Sequence, residues 1–486
     1  MATAMKSSHA LATKNMIART RQTTLSCKAT ATQIRAQHSG RRRLHSTSHE
    51  NNGVAIPSIP ASETIYNAQP STSSAQAALS CLTLPEVLRS YLITTMSSSP
   101  ALLGASTSLL RKMLESNNPL FSLEKNPIMR IILWETFYKQ FCAGADKDQI
   151  AKRCAELRAQ GYSGVILENA REVLKDEAGH DEATDIAYWK KGMLDTINMA
   201  APGDFLGLKW SGMGSAAMNR MAQEQDPSAD MAAAMHAVSQ AAAAKDIGLL
   251  PSAEETWNLQ GFQNWSLLMQ REYNTKGKSV VYTTYQMYLK QMPEILSKHL
   301  EIAKAEGFTL GAKLVRGAYL ATEPRHLIHD TIQDTHNAYD SATAALINRS
   351  YDAFLRPATV GQSAFPDLNV VVASHNASTV EKAQALRQEQ ARNGQALTPM
   401  VYAQLQGMAD EVSCKMLANA KAAESDPSAV REKVFKLTVW GTMHEALNYL
   451  LRRAAENKDA ASRTGETRAA MGAELVRRLK AGVGLA

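Results

Sequence analysis

Cysteine is scarce in this chain and shows no pairing pattern. Its 486 residues hold Cys27, Cys81, Cys142, Cys154 and Cys414, an odd number without a CxxC spacing. No disulfide scaffold and no zinc site is implied, and the five read as reduced thiols of a matrix-like compartment. Long apolar runs are missing too: none approaches the ~18 residues a membrane-spanning helix needs. That excludes an integral helical membrane protein by this test, but leaves a peripheral membrane surface open. No Gly-x-Gly-x-x-Gly follows any candidate strand, which argues against a doubly wound dinucleotide fold. Acidic residues are absent from positions 1–49, and the first is Glu50.

That last gap locates the positive charge. The chain carries a formal +7, yet Lys6, Lys14, Lys28, Arg19, Arg21, Arg35, Arg41, Arg42 and Arg43 all lie in the acid-free segment. Without those nine charges the remainder is near −2, so a nucleic-acid role loses its support. Residues 1–49 are rich in Arg, Ser, Thr and Ala, as expected of a mitochondrial transit peptide. Residues 50–78, with "PSIPASE" and "QPSTSSAQ", read as a flexible linker. Residues 79–140 turn helical through "LPEVLRSYLITTM", "ALLGASTSLLRKMLE" and "PIMRIILWETFYKQF", predicting a helical arm.

Between residues 141 and 460, eight short β-rich runs alternate with amphipathic helical stretches. They are "GVIL" (164–167), "FLGLK" (205–209), "IGLLP" (247–251), "SVVYTT" (279–284), "TLGAKLV" (309–315), "NVVVAS" (369–374), "MVYAQ" (400–404) and "VFKLTVW" (434–440). This order predicts an α/β protein built as a (β/α)8 barrel. Residues 461–486 form a C-terminal helix or tail. The Met- and Ala-rich stretch 213–245 reads as a crossover helix with a loop insertion, with an interaction helix or an apolar cofactor face as the alternatives.

In such barrels the chemistry sits at the C-terminal strand ends. Those positions hold Glu168, Lys209, Glu254, Glu255, Thr283, Thr284, "KLVRGAY" at 313–319, "SHN" at 374–376 and Gln404–Gln406. Cations and amides converging on one mouth suit an anionic, phosphate-bearing cofactor. Singly, each has a plainer role: His375 as a structural hydrogen-bonding residue, and Asn376 as the cap of the helix that follows. In "YLLRRAAEN" (449–457), Tyr449, Arg452, Arg453 and Glu456 share an arc of about 100°, with Leu447, Leu450, Leu451 and Ala454 opposite. An ordinary Arg452–Glu456 ion pair at i,i+4 and a two-arginine carboxylate clamp both fit that face.

Together, "GAKLVRGAYL", "VVVASHN", "QLQGMAD" and "YLLRRAAEN" resemble the proline dehydrogenase family of flavoenzymes over roughly residues 126–460, and "YLATEPR" resembles its fungal mitochondrial branch. The resemblance implies a distorted (β/α)8 barrel with a C-terminal helix over its mouth. It also implies an FAD cofactor, oxidation of L-proline to Δ1-pyrroline-5-carboxylate in proline catabolism, and transfer of electrons to ubiquinone at the mitochondrial inner membrane. By the same resemblance, Lys313, Val315, Arg316, Gly317, Ala318, Thr283, Ser374, His375, Asn376 and Gln404 are cofactor-binding. Arg452 and Arg453 grip the substrate carboxylate, Glu456 holds them, and Leu314, Tyr319, Tyr449 and Leu437 line the ring pocket.

Three places depart from the family pattern. Leu437 replaces a ring-packing tyrosine, Glu135 in "WETFYKQF" stands where a lysine is usual, and "SAEE" with Ser252 and Glu255 replaces "DAEQ". Leu437 leaves a hydroxyproline dehydrogenase open, and the three together leave open a weakened, flavin-binding paralogue that acts as a mitochondrial binding protein.

Overall fold

Parallel strands in register point paired residues to the same face, so the pairing of this sheet decides which side chains enter the barrel. The computed structural model describes residues 78–484 except 117, 119–125, 171–180, 276, 358, 360, 362–363 and 457–460. The transit-peptide and linker expectations therefore lie outside the described residues, apart from Ala78. The strands are β1 (Cys142–Gly144), β2 (Gly164–Asn169), β3 (Phe205–Leu208), β4 (Gly248–Pro251), β5 (Thr283–Gln286), β6 (Leu310–Val315), β7 (Leu368–Ala373), β8 (Met400–Leu405) and β9 (Val434–Trp440). They follow one another in the order β4-β3-β2-β9-β8-β7-β6-β5, all parallel, with the short β1 added outside the ring on β9. The ring closes at a thin seam, where Leu249 bridges Val281 and the Tyr282 N–H donates to the Leu249 carbonyl at 3.0 Å. All eight barrel strands expected from the sequence are present, and the seam is the distortion.

Register then sorts the side chains. Ile166 pairs with Phe205 and Leu437, Ala403 with Phe435, and Lys313 with Thr284 and Val371. These face inward. Their neighbours Leu167, Leu249, Leu314, Val372 and Tyr402 face outward into a larger core against the surrounding helices. At the N-terminal end the interior is filled by Phe205, Tyr282 and Phe435, packed edge to face with centroids 5.7 and 5.2 Å apart. Glycine makes the room: a Cβ on Gly164 would lie 2.3 Å from the Phe435 ring, and one on Gly248 2.4 Å from Phe205. Overpacking a filled core costs about 1–3 kcal/mol. Gly164→Ala should therefore shift the urea midpoint downward by that free energy at an unchanged denaturant slope, and an unshifted midpoint would show that the floor yields.

The Met-rich stretch folds as two helices, Ser215–Ala222 and Ala229–Ala244, whose Met221, Met231 and Met235 are fully buried in the outer core. The structural reading of that segment holds.

The arm comprises helices Leu84–Ser97 and Pro100–Glu115, then Pro127–Leu133, which runs through a widened turn (Trp134–Tyr138) into Lys139–Phe141. Thr83 and Glu86 form a capping box at its start, satisfying two otherwise orphaned N–H groups. Trp134 stacks on Tyr138 at 4.3 Å, and the Tyr138 hydroxyl donates to the Gly441 carbonyl at 2.7 Å. That ties the arm to the turn that launches the helix Met443–Glu456. This helix lies between two apolar surfaces. Ala446 and Tyr449 pack with the barrel interior, while Leu447 packs with Leu110, Met113 and Leu133 of the arm. The terminal helix Ala461–Gly482 returns to the arm, where Met471 meets Leu79, Leu82 and Val87, and Arg478 donates to the Leu79 and Leu82 carbonyls.

Candidate active site

Lys313 is the inward residue of β6 near the mouth and is only 8% exposed. Burial pulls its ammonium pKa below the usual lysine range, and the carboxylate of Glu168, on the far side of the barrel, opposes that shift. Glu168 accepts a long hydrogen bond from Ser252, 3.5 Å, which places one of the three departures beside this pair.

Around the rim, Lys209 donates to the Tyr319 hydroxyl at 3.2 Å, and that hydroxyl donates to the Ala253 carbonyl at 2.7 Å. Burial pushes Tyr319 up to about 12, against the lowering fields of Lys209 and Arg453, so Tyr319 is a neutral phenol at physiological pH. The loop that carries it is fixed at several points. The Ala318 N–H donates to Gln286 Oε1 (3.0 Å), the Gln286 amide donates to the Glu254 carbonyl (2.9 Å), and Glu323 accepts from the Thr256 N–H (2.9 Å) and hydroxyl. Gly317 is needed for close packing, because a Cβ there would sit 2.4 Å from the Tyr288 ring.

The covering helix begins at Thr442 and Glu445, which cap it reciprocally. It brings Tyr449 and Arg453 to the mouth, with the guanidinium 5.4 Å from the Tyr449 ring centroid. Tyr449, Arg453, Leu437, Val439, Leu405 and His375 line a cavity of about 230 Å³ that extends between the barrel and the arm's Ile93, Thr94 and Leu110. Arg452 is half-buried on the same helix. Glu456 ends the helix, and its side chain lies outside the described residues.

The structure separates the other expected residues by face. Lys313, Val315 and Leu437 alternate inward, whereas Leu314 is fully buried in the outer core. Thr283 is buried, accepting from the Gln270 amide at 2.7 Å. Gln404 donates to the Ser374 carbonyl (3.2 Å) and accepts from Ser413. Arg316 donates to His336 Nδ1, Ser374 Oγ and Thr379 Oγ1 at 2.9, 2.9 and 2.7 Å and stacks on Tyr339. The side chains of these four outward residues thus brace strand ends against the outer helices. His375 Nε2 accepts the Leu405 N–H at 3.0 Å, which leaves the proton on Nδ1 in the neutral ring. Asn376 caps helix Ala377–Arg392 by accepting from the Thr379 N–H at 3.0 Å. Glu135 pairs with Lys139 on the surface at 2.6 Å, so its charge is neutralised locally. Glu255 accepts from the exposed Trp257 indole. Lys209 and Glu168 were visible as polar strand-end residues, but nothing in their local pattern assigned them a role.

Glu411, on another wall of the cavity, has its carboxyl pushed by burial from 4.5 up to about 7, despite a hydrogen bond from Thr467 and the charge of Lys436. A carboxyl pKa raised by folding contributes stability that is complete below its unfolded value and is lost as pH rises through the folded one. Glu411→Gln should therefore gain on the parent by up to about 3 kcal/mol between pH ~4.5 and ~8. Parallel denaturation curves at the two pH values check this, and a constant difference would count against it.

Comparison with known proteins accords with this geometry. The family described as proline dehydrogenase matches residues 150–466. The "Probable proline dehydrogenase, mitochondrial" of Schizosaccharomyces pombe is 36% identical over 241 residues, which is 48% of this chain and 47% of that protein. Human "Proline dehydrogenase 1, mitochondrial" is 33% identical over 265 residues (54% and 40%), and rat "Hydroxyproline dehydrogenase" is 32% identical over 248 residues (50% and 51%). The chain thus spans about half the length, or less, of these curated relatives. Among solved structures, proline utilization A from Bdellovibrio bacteriovorus, inactivated by N-propargylglycine, superposes with a TM-score of 0.58 at 12% identity over 79% of this chain and 41% of that one, a likeness of fold. With the family match covering well over half of its residues, the chain belongs to the proline dehydrogenase family.

Proposed function

We propose that this protein oxidises L-proline to Δ1-pyrroline-5-carboxylate in mitochondrial proline catabolism, with FAD as cofactor and ubiquinone as electron acceptor. The observation that carries the reading is the covering helix, which brings Arg453 and Tyr449 to the mouth beside inward Leu437 and above a barrel whose interior holds Lys313. An apolar wall with a buried cation and rim amides and cations suits a flavin ring and its anionic tail. Lys313 and the backbone of Gly317 and Ala318 would hold that group, with His375 at the cavity wall. When bound, FAD accepts the hydride removed from the ring carbon beside the nitrogen.

The chain's own residues bind, orient and seal. Arg452 and Arg453 present two planar forks to the carboxylate of proline, which fixes one end of the substrate. Tyr449 and Leu437 give the pyrrolidine ring apolar contact, and neutral Tyr319 offers a hydroxyl at the rim. The helix carrying both arginines closes the mouth to water, which strengthens those ion pairs. Peripheral attachment to the inner membrane is supported by exposed Leu84, Leu88 and Leu92 along one stripe of the arm and by exposed Ile128, Ile131 and Ile132. Such a patch suits a lipid surface, and Ile128→Glu with Ile131→Glu should abolish flotation with anionic liposomes.

A second reading is oxidation of hydroxyproline. Leu437 favours it, because a leucine at the cavity wall leaves space and no hydroxyl where the family pattern has a tyrosine. Anaerobic titration of the flavin spectrum decides between the readings. Bleaching by L-proline at lower concentration than by hydroxyproline is expected, and the reverse order would favour the second reading. A bound flavin unchanged by either compound would point to the weakened paralogue and overturn the proposal.

A further inference from the structure

Two cysteines that lie 333 positions apart in sequence meet in the fold. Cys81 closes the short turn Leu79–Cys81 at the start of the arm, and Cys414 sits in helix Asp410–Ala422 after β8, with their sulfurs 3.1 Å apart. Both belong to one apolar cluster, in which Ala78, Leu79, Leu82, Val87 and Met471 surround them. We propose that Cys81 and Cys414 form a reversible disulfide that latches the arm onto the barrel, with a low-molecular-weight disulfide as the oxidant.

The two thiols have different parts. Cys81 is half-buried and within reach of solvent, whereas Cys414 is 1% exposed. The two sulfurs share a hydrogen bond, donated by Cys81 in the reduced pair; the interaction with Cys414 holds the Cys81 thiol below its ordinary range, while Cys414 itself is held well above it. The accessible thiol is thus the one that ionises, and only the thiolate attacks a disulfide. In the first exchange Cys81 bonds to one sulfur of oxidised glutathione, and one glutathione thiolate leaves. Cys414 then loses its proton and attacks the Cys81 sulfur, the mixed disulfide breaks, and the second glutathione leaves. Two protein thiols are oxidised and one glutathione disulfide is reduced to two thiols, so electrons and protons balance. Cys142 and Cys154 serve as internal controls, because burial pushes them up to about 12 and about 11.

The bond would span one wall of the cavity. Cys81 lies three residues before the helix that contributes Ile93, Thr94, Met96 and Ser97, and Cys414 lies one turn beyond Glu411, which lines the same space. Oxidation therefore fixes the arm relative to the barrel beside the mouth.

The test uses the full chain with Cys27→Ser, incubated with oxidised glutathione, alkylated, digested and mapped by mass spectrometry. The expected result is a peptide pair joined through Cys81 and Cys414, reversed by dithiothreitol and absent in Cys81→Ser. Hydrogen exchange in Leu84–Ser97 should slow severalfold on oxidation, and should not change on oxidation in Cys81→Ser or Cys414→Ser. Full alkylation of both cysteines after oxidation, or a stable glutathione adduct on Cys81 without the cross-link, overturns the disulfide. A cross-link that leaves exchange in the arm unchanged overturns the latch.

Discussion

Arg453→Ala is expected to lower kcat/KM for L-proline roughly 100- to 1,000-fold while moving the thermal midpoint little. The size follows from what each reading of the guanidinium would cost. A solvated ion pair at i,i+3 or i,i+4 on a helix face is worth only about 0.2–0.5 kcal/mol, less than threefold in rate. Truncating one partner of a buried, hydrogen-bonded charge pair costs about 2–5 kcal/mol, and the substrate carboxylate would be the partner left behind. Arg453 lines the cavity at the barrel mouth and its charge reaches Tyr319, which favours the larger figure. Arg453→Lys separates charge from shape: it keeps the cation but not the fork. It should recover part of the loss in KM and leave kcat intermediate. A kcat/KM within threefold of the parent for the alanine variant would remove the clamp and return Arg453 to a structural role.

Much of this architecture was legible because short apolar runs of β-rich residues have few other uses when they alternate with amphipathic helices eight times. The faces of those strands were legible as well, yet a run of neighbouring residues does not honour them. Lys313 and Leu314 cannot share a surface in an extended strand, and the structure sends the first inward and the second to the outer core. The plainer reading of Asn376 as a helix cap was available from its position before "ASTVEKA", whereas Glu135 reads from the sequence only as a departure, a changed charge near the substrate, and the structure pairs it instead with Lys139 one turn on. What local pattern does not carry is partnership across the closed ring. Arg316 finds His336, Ser374 and Thr379, and Arg153 joins Glu86 of the arm to Gln406 of the barrel. Such contacts exist only once the strands have closed, so a basic residue at a strand end reads as a ligand until its neighbours are known. The Met-rich segment shows the converse: its composition invited a functional reading, and the helices bury its methionines in an ordinary core.

The opposite end of the barrel should respond to mutation in stability and not in chemistry. Arg387, in helix Ala377–Arg392, donates to both oxygens of Glu432 at 2.9 and 3.1 Å and to the Thr398 carbonyl at 2.7 Å. Both side chains are more than nine-tenths buried. Arg387→Met removes the cation and leaves a buried carboxylate without it, at a cost of about 3–5 kcal/mol, a large part of the 5–15 kcal/mol that typically separates folded from unfolded chains. The cost has a pH signature. Burial already raises the Glu432 carboxyl above its ordinary value in spite of Arg387, and loss of the cation raises it further. A carboxyl protonated in both folded and unfolded states costs little, so the deficit should be small near the unfolded carboxyl pKa of ~4.3 and reach its full size as pH rises through the folded one. Replacing both partners, Arg387→Met with Glu432→Leu, should recover most of the stability, because no charge is left to desolvate. Denaturation midpoints of the parent, the single variant and the double variant at low and neutral pH test this. The activity of each folded variant should stay at the parental level, since this pair braces the N-terminal face and the proposed site lies at the other. A double variant as unstable as the single one would mean that Arg387 acts through its bond to the Thr398 carbonyl, and that the chain reversal before β8, rather than the ion pair, holds this end of the barrel closed.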